Sequence, residues 1–189
     1  MKYFIVGFNA SGKQTIAEEL KKLGVKVGDI FRSVETIPDS IYSLSNIVYS
    51  QEDINNIFEN KSYIFIKENK MSTEPFFEGL SFYEYDNNDV FIITPEQFSL
   101  IPKFDKDVMF IWLDNNCKQR RERFLTEKRK YNFNKQEEIE KFDINDFIGR
   151  ISNSKYLYFF NEDPLRVSTI IYSIIKHPDL VSLFKNNFN

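Results

Sequence analysis

The hydrophobic pattern at the start of the chain predicts a strand, a loop and a helix. An apolar run at residues 3–6 is typical of a strand that is covered on both faces. After a polar interval, Ile16, Leu20 and Leu23 recur at the spacing of one helix face, and Gly24 then offers a stop. These first 24 residues therefore predict a strand–loop–helix unit.

The remaining pattern alternates strands with helices. Further strands are predicted at residues 25–29, 63–66, 89–94, 108–114 and 156–160. Helices are predicted after Ser50, from Pro95, across the basic residues from Lys118, over 137–151 and after 161–164. Residues 31–49 are expected to be irregular or weakly stranded, and residues from 177 onward to form a short helix or tail. This alternation predicts an α/β fold.

Composition narrows the class of protein. A chain of 189 residues with 42% hydrophobic and 28% charged residues suits one domain, and its net charge of -3 argues against a broad basic surface for nucleic acid. Its apolar runs are far shorter than the ~20 residues that span a bilayer, so we expect a cytoplasmic protein without a membrane partner. The single cysteine, Cys117, and the single histidine, His177, support neither an internal disulfide, a zinc site nor a Cys/His catalytic pair.

The first loop carries the clearest chemical motif. The spacing Gly7-x-x-x-x-Gly12-Lys13 turns backbone N–H groups into one concavity, adds a helix N-terminus and supplies an ammonium for phosphate oxygens. The next residue is usually Ser or Thr, whose hydroxyl ligates Mg²⁺, but here it is Gln14, followed by Thr15. An ordinary glycine-rich turn is the alternative, and Lys13 with the flanking strand and helix favours phosphate binding over it. The residues expected to line the phosphate site are Gly7, Asn9, Ala10, Ser11, Gly12, Lys13, Gln14 and Thr15.

Other stretches supply weaker candidates. Helical spacing places Arg120 and Arg123 on neighbouring turns of one side, with Arg129 where the basic helix gives way to a polar loop, although a solvated charged face is the alternative. Glu96 follows a predicted strand, where it would either face a ligand or stabilise its own helix. The aromatic and acidic stretches 76–79 and 82–85 would either wall a nucleobase or pack half-buried.

The order of these parts resembles the nucleoside monophosphate kinases, above all the guanylate kinase branch with its phage relatives. GFNASGKQT is similar to the phosphate loop of that family. The other similar segments are residues 48–66 (the lead into the substrate-binding subdomain), 91–98 (the central strand and turn), 110–129 (a strand and the arginine-bearing lid helix) and 159–165 (the last strand and its asparagine-acid turn).

The resemblance implies a P-loop kinase fold with a five-stranded parallel sheet. Its implied parts are a core at 1–30 and 88–176, a substrate-binding subdomain at about 31–87, a lid at about 118–136 and a tail at 177–189. It implies transfer of the γ-phosphoryl group of ATP, with Mg²⁺, to a nucleotide substrate by a monomer or homodimer. The implied catalytic residues are Lys13, Arg120, Arg123 and Arg129, and Thr15 is the implied metal ligand. The implied substrate-binding residues are Arg32, Ser33, Thr36, Glu68, Glu96 and Arg150.

The chain departs from that family at several acceptor positions. No arginine follows Arg32 in residues 33–40, where guanylate kinases carry two, and Thr94 stands where the family has an aspartate. The family's acidic guanine contact falls at Lys67 or Glu68. These departures favour a rival hypothesis, a nucleotide-binding protein that has lost catalysis. A kinase of polynucleotide ends would need a basic groove, which the charge balance does not offer.

Overall fold

Two sheets organise the protein in the computed structural model, which describes residues 1–8, 10–33, 47–69, 76–101, 108–115, 117–126 and 156–182. The larger sheet has five strands in the order β2-β7-β1-β8-β9. Its strands are β1 (Lys2–Gly7), β2 (Val27–Gly28), β7 (Val90–Ile93), β8 (Val108–Asp114) and β9 (Tyr156–Phe160). Every neighbouring pair in this sheet is parallel. The predicted α/β class with a five-stranded parallel sheet is confirmed.

Helices and the second sheet cover the two faces of the parallel sheet. On one face, Ile16 and Leu20 of α1 (Lys13–Lys22) and Ile171 of α6 (Pro164–Lys176) are fully buried against the strands. On the other face, Phe98 of α4 (Pro95–Leu100) packs against Phe110, with ring centroids 4.7 Å apart. Burial on both faces explains why β1, β7 and β8 are continuous apolar runs in the sequence.

The smaller sheet has four strands in the order β4-β3-β6-β5. Its strands are β3 (Phe31–Arg32), β4 (Ile47–Val48), β5 (Tyr63–Asn69) and β6 (Phe76–Ser81). Pairings β3–β6 and β5–β6 are antiparallel, whereas β3–β4 is parallel. Ile54 and Ile57 of α2 (Gln51–Asn60) bury against Phe31, so this sheet has an apolar cluster of its own.

Local capping fixes where several helices begin. Ser50 caps α2 and forms a reciprocal pair with Asp53, as the sequence predicts. Thr94 and Gln97 form the same kind of reciprocal cap at α4. Asp163 caps α6, while Ser81 caps the short helix α3 (Phe82–Asn87).

The connections of the parallel sheet open a crevice between β1 and β7. After β1 the chain passes through α1 to β2, at one edge of the sheet. After β7 it passes through α4 to β8, which lies on the opposite side of β1. In open α/β sheets, ligands bind outside the carboxyl ends of the strands at such a reversal. The loop after β1 and the first turn of α4 both lie at this edge, since Val6 pairs with Ile93.

Some predicted elements differ from those observed. The strand predicted at 25–29 is limited to β2, and the described part of the stretch 31–49 contains the two-residue strands β3 and β4. Leu23, predicted to face inward, is 43% exposed because α1 has already ended there. The stretch 82–85, for which neither a helix nor a strand was predicted, falls in α3. The helix predicted at 137–151 lies outside the described residues. Of the lid predicted at about 118–136, the described part belongs to α5 (Cys117–Thr126).

Residues after α6 are described as far as 182 and begin with a short 3-10 turn, Pro178–Leu180. Across the described ranges, every helix is too short or too polar to cross a lipid bilayer.

Candidate functional site

The loop between β1 and α1 leaves the start of the helix uncapped. Gly12, at the N-cap position, has φ 87°, and Ala10 has φ 59°, so the backbone turns twice through the left-handed region. That conformation favours glycine at position 12 and curls backbone N–H groups around a concavity suited to an anion. Among the described residues no side chain caps α1, in contrast to α2, α3, α4 and α6, and the first N–H groups of a helix have no partner within the helix itself.

Lys13 lies inside this loop. Only 4% of the residue is exposed, and its Nζ donates to the carbonyl oxygens of Gly7 at 2.5 Å and Phe8 at 2.7 Å. Its ammonium thus sits at the floor of the concavity, beside the uncapped helix start. A phosphate oxygen in this loop would meet both a full positive charge and the positive end of the helix dipole.

Gly7 is required by close contact rather than by backbone conformation. A Cβ added there would lie 2.7 Å from the Oγ of Ser11 and 2.8 Å from the carbonyl oxygen of Leu113. Ser11 is itself 1% exposed, so the loop is pressed against the end of β8. The glycine spacing of the motif therefore reflects tight packing at Gly7 and left-handed backbone at Gly12.

Gln14 and Thr15 occupy the exposed first turn of α1. The amide of Gln14 donates to Glu18 Oε1 at 3.4 Å, along the outer surface of the helix. Among the described residues no three His, Cys, Asp or Glu side chains gather into a metal site. Mg²⁺ commonly takes few protein ligands beside phosphate oxygens and water, and the Thr15 hydroxyl fits that limited role.

A polar network at the ends of β8 and β9 touches the same loop. Asn161, which follows β9 and is 0% exposed, donates from Nδ2 to the carbonyl oxygen of Ser11 at 2.6 Å. Asn115, which follows β8, donates from Nδ2 to the carbonyl oxygen of Asn161 at 3.1 Å. Neither asparagine is among the predicted site residues. The asparagine-acid turn after the last strand was the only signal in the sequence that pointed toward one of them.

Asp114 extends this network to the surface. Its Oδ1 accepts from the Asn115 backbone N–H at 2.7 Å, and its Oδ2 accepts from the Tyr158 hydroxyl at 2.5 Å. Burial, and then the hydrogen bond to the Asp114 carboxylate, raise the pKa of the Tyr158 hydroxyl above its ordinary value. The tyrosine therefore remains a hydrogen-bond donor to Asp114 across the physiological range.

The structure brings one of the predicted arginines to the loop. Arg120 of α5 is 6% exposed, and its guanidinium carbon lies 4.9 Å from the centre of the Phe8 ring. Phe8 meets Trp112 of β8 edge-on, with centroids 5.3 Å apart. Arg123 lies one turn later in α5, and Arg129 is outside the described residues. Of the predicted cationic group, Lys13 and Arg120 are brought together around the loop.

A second charged cluster lies across the crevice, between α4 and the smaller sheet. Lys67 of β5 contacts Glu96 of α4, with Nζ and Oε2 2.5 Å apart, and lies 3.9 Å from Glu78 of β6. Gln97 donates from Nε2 to the same Glu78 carboxylate at 3.0 Å. This acceptor-side cluster, made of Lys67, Glu78, Glu96 and Gln97, carries two carboxylates and one ammonium. Glu96 was predicted, whereas Lys67, Glu78 and Gln97 were not among the predicted site residues.

Glu68 lies away from that cluster. Lys67 pairs in register with Glu78, and Glu68 pairs with Phe77. Because side chains alternate across a strand, Glu68 projects from the opposite face of β5, where it is exposed. The placement of a substrate contact at Glu68 is therefore not supported by the geometry, and position 67 faces the crevice instead.

The other residues predicted to bind substrate lie either at the smaller sheet or outside the described residues. Ser33 is engaged within the smaller sheet, because its Oγ accepts from the Phe77 N–H at 2.9 Å. Arg32 is partly buried on β3, in register with Glu78 on the neighbouring strand. Asn9, Thr36 and Arg150 lie outside the described residues.

Aromatic residues of the stretches 76–79 and 82–85 pack against aromatic rings from other elements. Phe77 meets Phe58 edge-on at 5.3 Å, and Tyr85 stacks on Phe91 at 5.6 Å. Phe76 is 1% exposed, whereas Tyr83 is 72% exposed. These contacts favour the packing interpretation over a wall for a nucleobase.

Comparisons with known proteins identify the fold. No protein-family model and no curated protein sequence matches this chain. Among solved structures it is similar to guanylate kinase from Anaplasma phagocytophilum, with a TM-score of 0.55 and 14% identity over 94% of this chain and 85% of the other. It is also similar to deoxyadenosine kinase from M. mycoides with bound dATP, with a TM-score of 0.50 and 16% identity over 93% of this chain and 100% of the other. A structure of that kinase with dCMP and dCDP gives a TM-score of 0.51 and 15% identity over 93% and 99%. At these identities the similarity shows the fold, which is that of the P-loop kinases.

Proposed function

We propose that this protein transfers the γ-phosphoryl group of ATP to a nucleoside or deoxynucleoside monophosphate. The observation that carries the proposal is the loop itself: Lys13 is buried against Gly7 and Phe8, beside a helix start that no side chain caps. Such an arrangement has little use in a scaffold but suits a triphosphate. The resemblance to guanylate kinases and the fold shared with guanylate and deoxyadenosine kinases support a nucleotide as substrate.

On the donor side, the chain's contribution is positioning and electrostatic stabilisation. The N–H groups at the start of α1 and the Lys13 ammonium bind the β- and γ-phosphates, and Arg120 neutralises charge on the phosphoryl group as it is transferred. Thr15 is the residue that would ligate Mg²⁺, which when bound supplies further charge neutralisation at the phosphates.

On the acceptor side, the smaller sheet and α4 form the proposed substrate-binding part. Arg32, on β3 of this sheet, is the candidate contact for the acceptor phosphate. The acceptor-side cluster carries a net negative charge, so its carboxylates favour a base that offers amino hydrogen-bond donors. Glu96, whose side chain is 46% exposed, is the member best placed to contact a ligand.

One rival function rests on specific contacts. Thr94, at the position of the family's aspartate, is committed to capping α4 through its hydroxyl, which accepts from the Gln97 N–H at 3.2 Å. Gln14 contacts Glu18 rather than the loop. A nucleotide-binding protein without phosphoryl transfer would tolerate both features, whereas an enzyme must work without a carboxylate at position 94.

The deciding experiment incubates the protein with ATP and Mg²⁺ and each ribo- and deoxyribonucleoside monophosphate in turn, and separates the products by anion-exchange chromatography. We expect a diphosphate with at least one acceptor that carries an amino-bearing base. Omission of the acceptor is the control for ATP hydrolysis. ATP binding without diphosphate from any acceptor would establish the rival.

A further inference from the structure

Asn161 is fixed on three sides at the end of β9. Its backbone N–H donates to the carbonyl oxygen of Asp114 at 2.8 Å, and its own carbonyl oxygen accepts from the Asn115 amide at 3.1 Å. Its Nδ2 then donates to the carbonyl oxygen of Ser11 at 2.6 Å. The side chain is 0% exposed, so it forms a rigid link from the parallel sheet to the loop between β1 and α1.

The carbonyl that Asn161 holds belongs to the peptide that precedes Gly12. A trans peptide is planar, and its C=O and N–H point in opposite directions. Because Asn161 holds the Ser11 carbonyl, the Gly12 N–H of the same peptide points in the opposite direction, away from Asn161. Gly12 has no Cβ and a φ of 87°, so the peptide before it has little local restraint against rotation.

We propose that Asn161 is a positioning residue of the phosphate loop: it holds the Ser11–Gly12 peptide so that the Gly12 N–H faces the phosphate ligand. The inference rests on the proposed function only in so far as the loop binds phosphate. It assigns to Asn161 no contact with the nucleoside. Loss of its amide removes this donor to the Ser11 carbonyl and lets the peptide rotate. Phosphate binding is then weaker by the free energy of about one charge-assisted hydrogen bond.

The test measures dissociation constants by isothermal titration calorimetry for ATP and for inorganic tripolyphosphate, which has no nucleoside. Asn161→Ala is expected to weaken both ligands by the same factor, about tenfold. The matched control is Asn88→Ala, because the Asn88 amide also donates to a backbone carbonyl, that of Glu84 at 2.9 Å, but at the end of α3. This control is expected to stay within about twofold of wild type for both ligands.

Either of two results with Asn161→Ala overturns the proposal. Unchanged tripolyphosphate affinity in Asn161→Ala would remove the positioning role, and a loss confined to ATP would place Asn161 at the nucleoside instead. If Asn161→Ala does not fold, as judged by its thermal midpoint, Asn115→Ala replaces it, because it removes the brace on the Asn161 carbonyl. A loss of about threefold for both ligands is expected there, and none would overturn the proposal.

The two proposals fail separately. Wild-type protein that binds tripolyphosphate but forms no diphosphate defeats the proposed phosphoryl transfer and leaves the role of Asn161 intact. Wild-type protein that forms diphosphates while Asn161→Ala binds tripolyphosphate normally defeats only the role of Asn161.

Discussion

The guanidinium of Arg120 lies over the face of Phe8, 4.9 Å from the ring centre, although the two residues are separated by more than a hundred positions. Phe8 is the first residue after β1, and its ring is held edge-on against Trp112 of the neighbouring strand. A buried guanidinium on an aromatic face is worth about 2 kcal/mol when it is desolvated. The ring of Phe8 thus helps to place the Arg120 guanidinium beside the loop between β1 and α1.

Replacing that ring should slow catalysis more than it weakens ATP binding. Phe8→Leu keeps an apolar side chain but removes the aromatic face, so we expect kcat to fall about fivefold with the KM for ATP within about twofold. The matched control is Phe98→Leu, because Phe98 meets Phe110 in the same edge-on manner away from Arg120. Steady-state kinetics on folded protein compares them. Equal falls in kcat for the two variants would show that general core packing, not the arginine, is responsible.

The two adjacent arginines of α5 should differ sharply. Arg120 is buried against Phe8, whereas Arg121 is exposed. Because a cation at the transferred group stabilises the transition state, Arg120→Ala should lower kcat roughly a thousandfold, and Arg121→Ala should leave it unchanged. A coupled assay for diphosphate formation measures both. Loss of activity in the two variants alike would indicate that the whole basic helix, rather than Arg120, is what matters.

Lys13→Ala should abolish detectable diphosphate formation and also lower stability. The ammonium donates to the carbonyls of Gly7 and Phe8, the second of which also accepts from the Ser11 N–H at 3.2 Å. Its removal deprives both carbonyls of a charged donor and costs about 1–3 kcal/mol. Urea denaturation measures that cost, and product formation measures the catalytic loss. Lys22→Ala is the control, since Lys22 lies at the exposed end of the same helix and pairs with Glu19. Unchanged turnover in Lys13→Ala would refute the mechanism.

Binding of the acceptor should depend on Glu96, which contacts Lys67 on one face of β5, and not on Glu68, which lies on the opposite face. Glu96→Gln removes a charge from the acceptor-side cluster, so we expect the KM for the acceptor to rise about tenfold with the KM for ATP unchanged. Glu68→Gln is the matched control on the opposite face of β5 and should leave both KM values unchanged. Initial rates with each substrate varied in turn distinguish the two. A larger effect at Glu68 than at Glu96 would mean that the acceptor lies outside the crevice.

Tyr158 should make stability fall in alkaline solution. Its pKa is raised in the folded protein by burial and by the hydrogen bond to Asp114, so the folded state keeps a proton that the unfolded chain loses above pH about 10. The stabilisation is complete below that pH and is lost as the pH rises further. Urea denaturation between pH 8 and 11 should therefore show a steeper fall for wild type than for Tyr158→Phe. If the free energies of unfolding of the two proteins fall in parallel as the pH rises, Tyr158 does not contribute to the alkaline loss of stability.

Features that depend on residues close together in the chain could be predicted from the sequence. The glycine at a left-handed position, the lysine after it and the apolar strand and helix on either side specify the first loop within some twenty residues. The caps at Ser50 and at Thr94 are equally local, since a side chain three residues away completes each of them. Continuous apolar runs likewise indicated β1, β7 and β8, because these strands are buried on both faces.

Which polar side chains share the crevice depends on how distant parts of the chain pack together. Strand register placed Lys67 rather than Glu68 opposite Glu78, because a shift of one residue reverses the face. Packing against Phe8 places the Arg120 guanidinium at the loop, a contact that the helical pattern alone could not indicate. The bond from Asn161 to Ser11 joins positions 150 residues apart, and no local pattern encodes it. Long-range pairing of strands brings such groups together, so the loop was predictable from sequence while its supports were not.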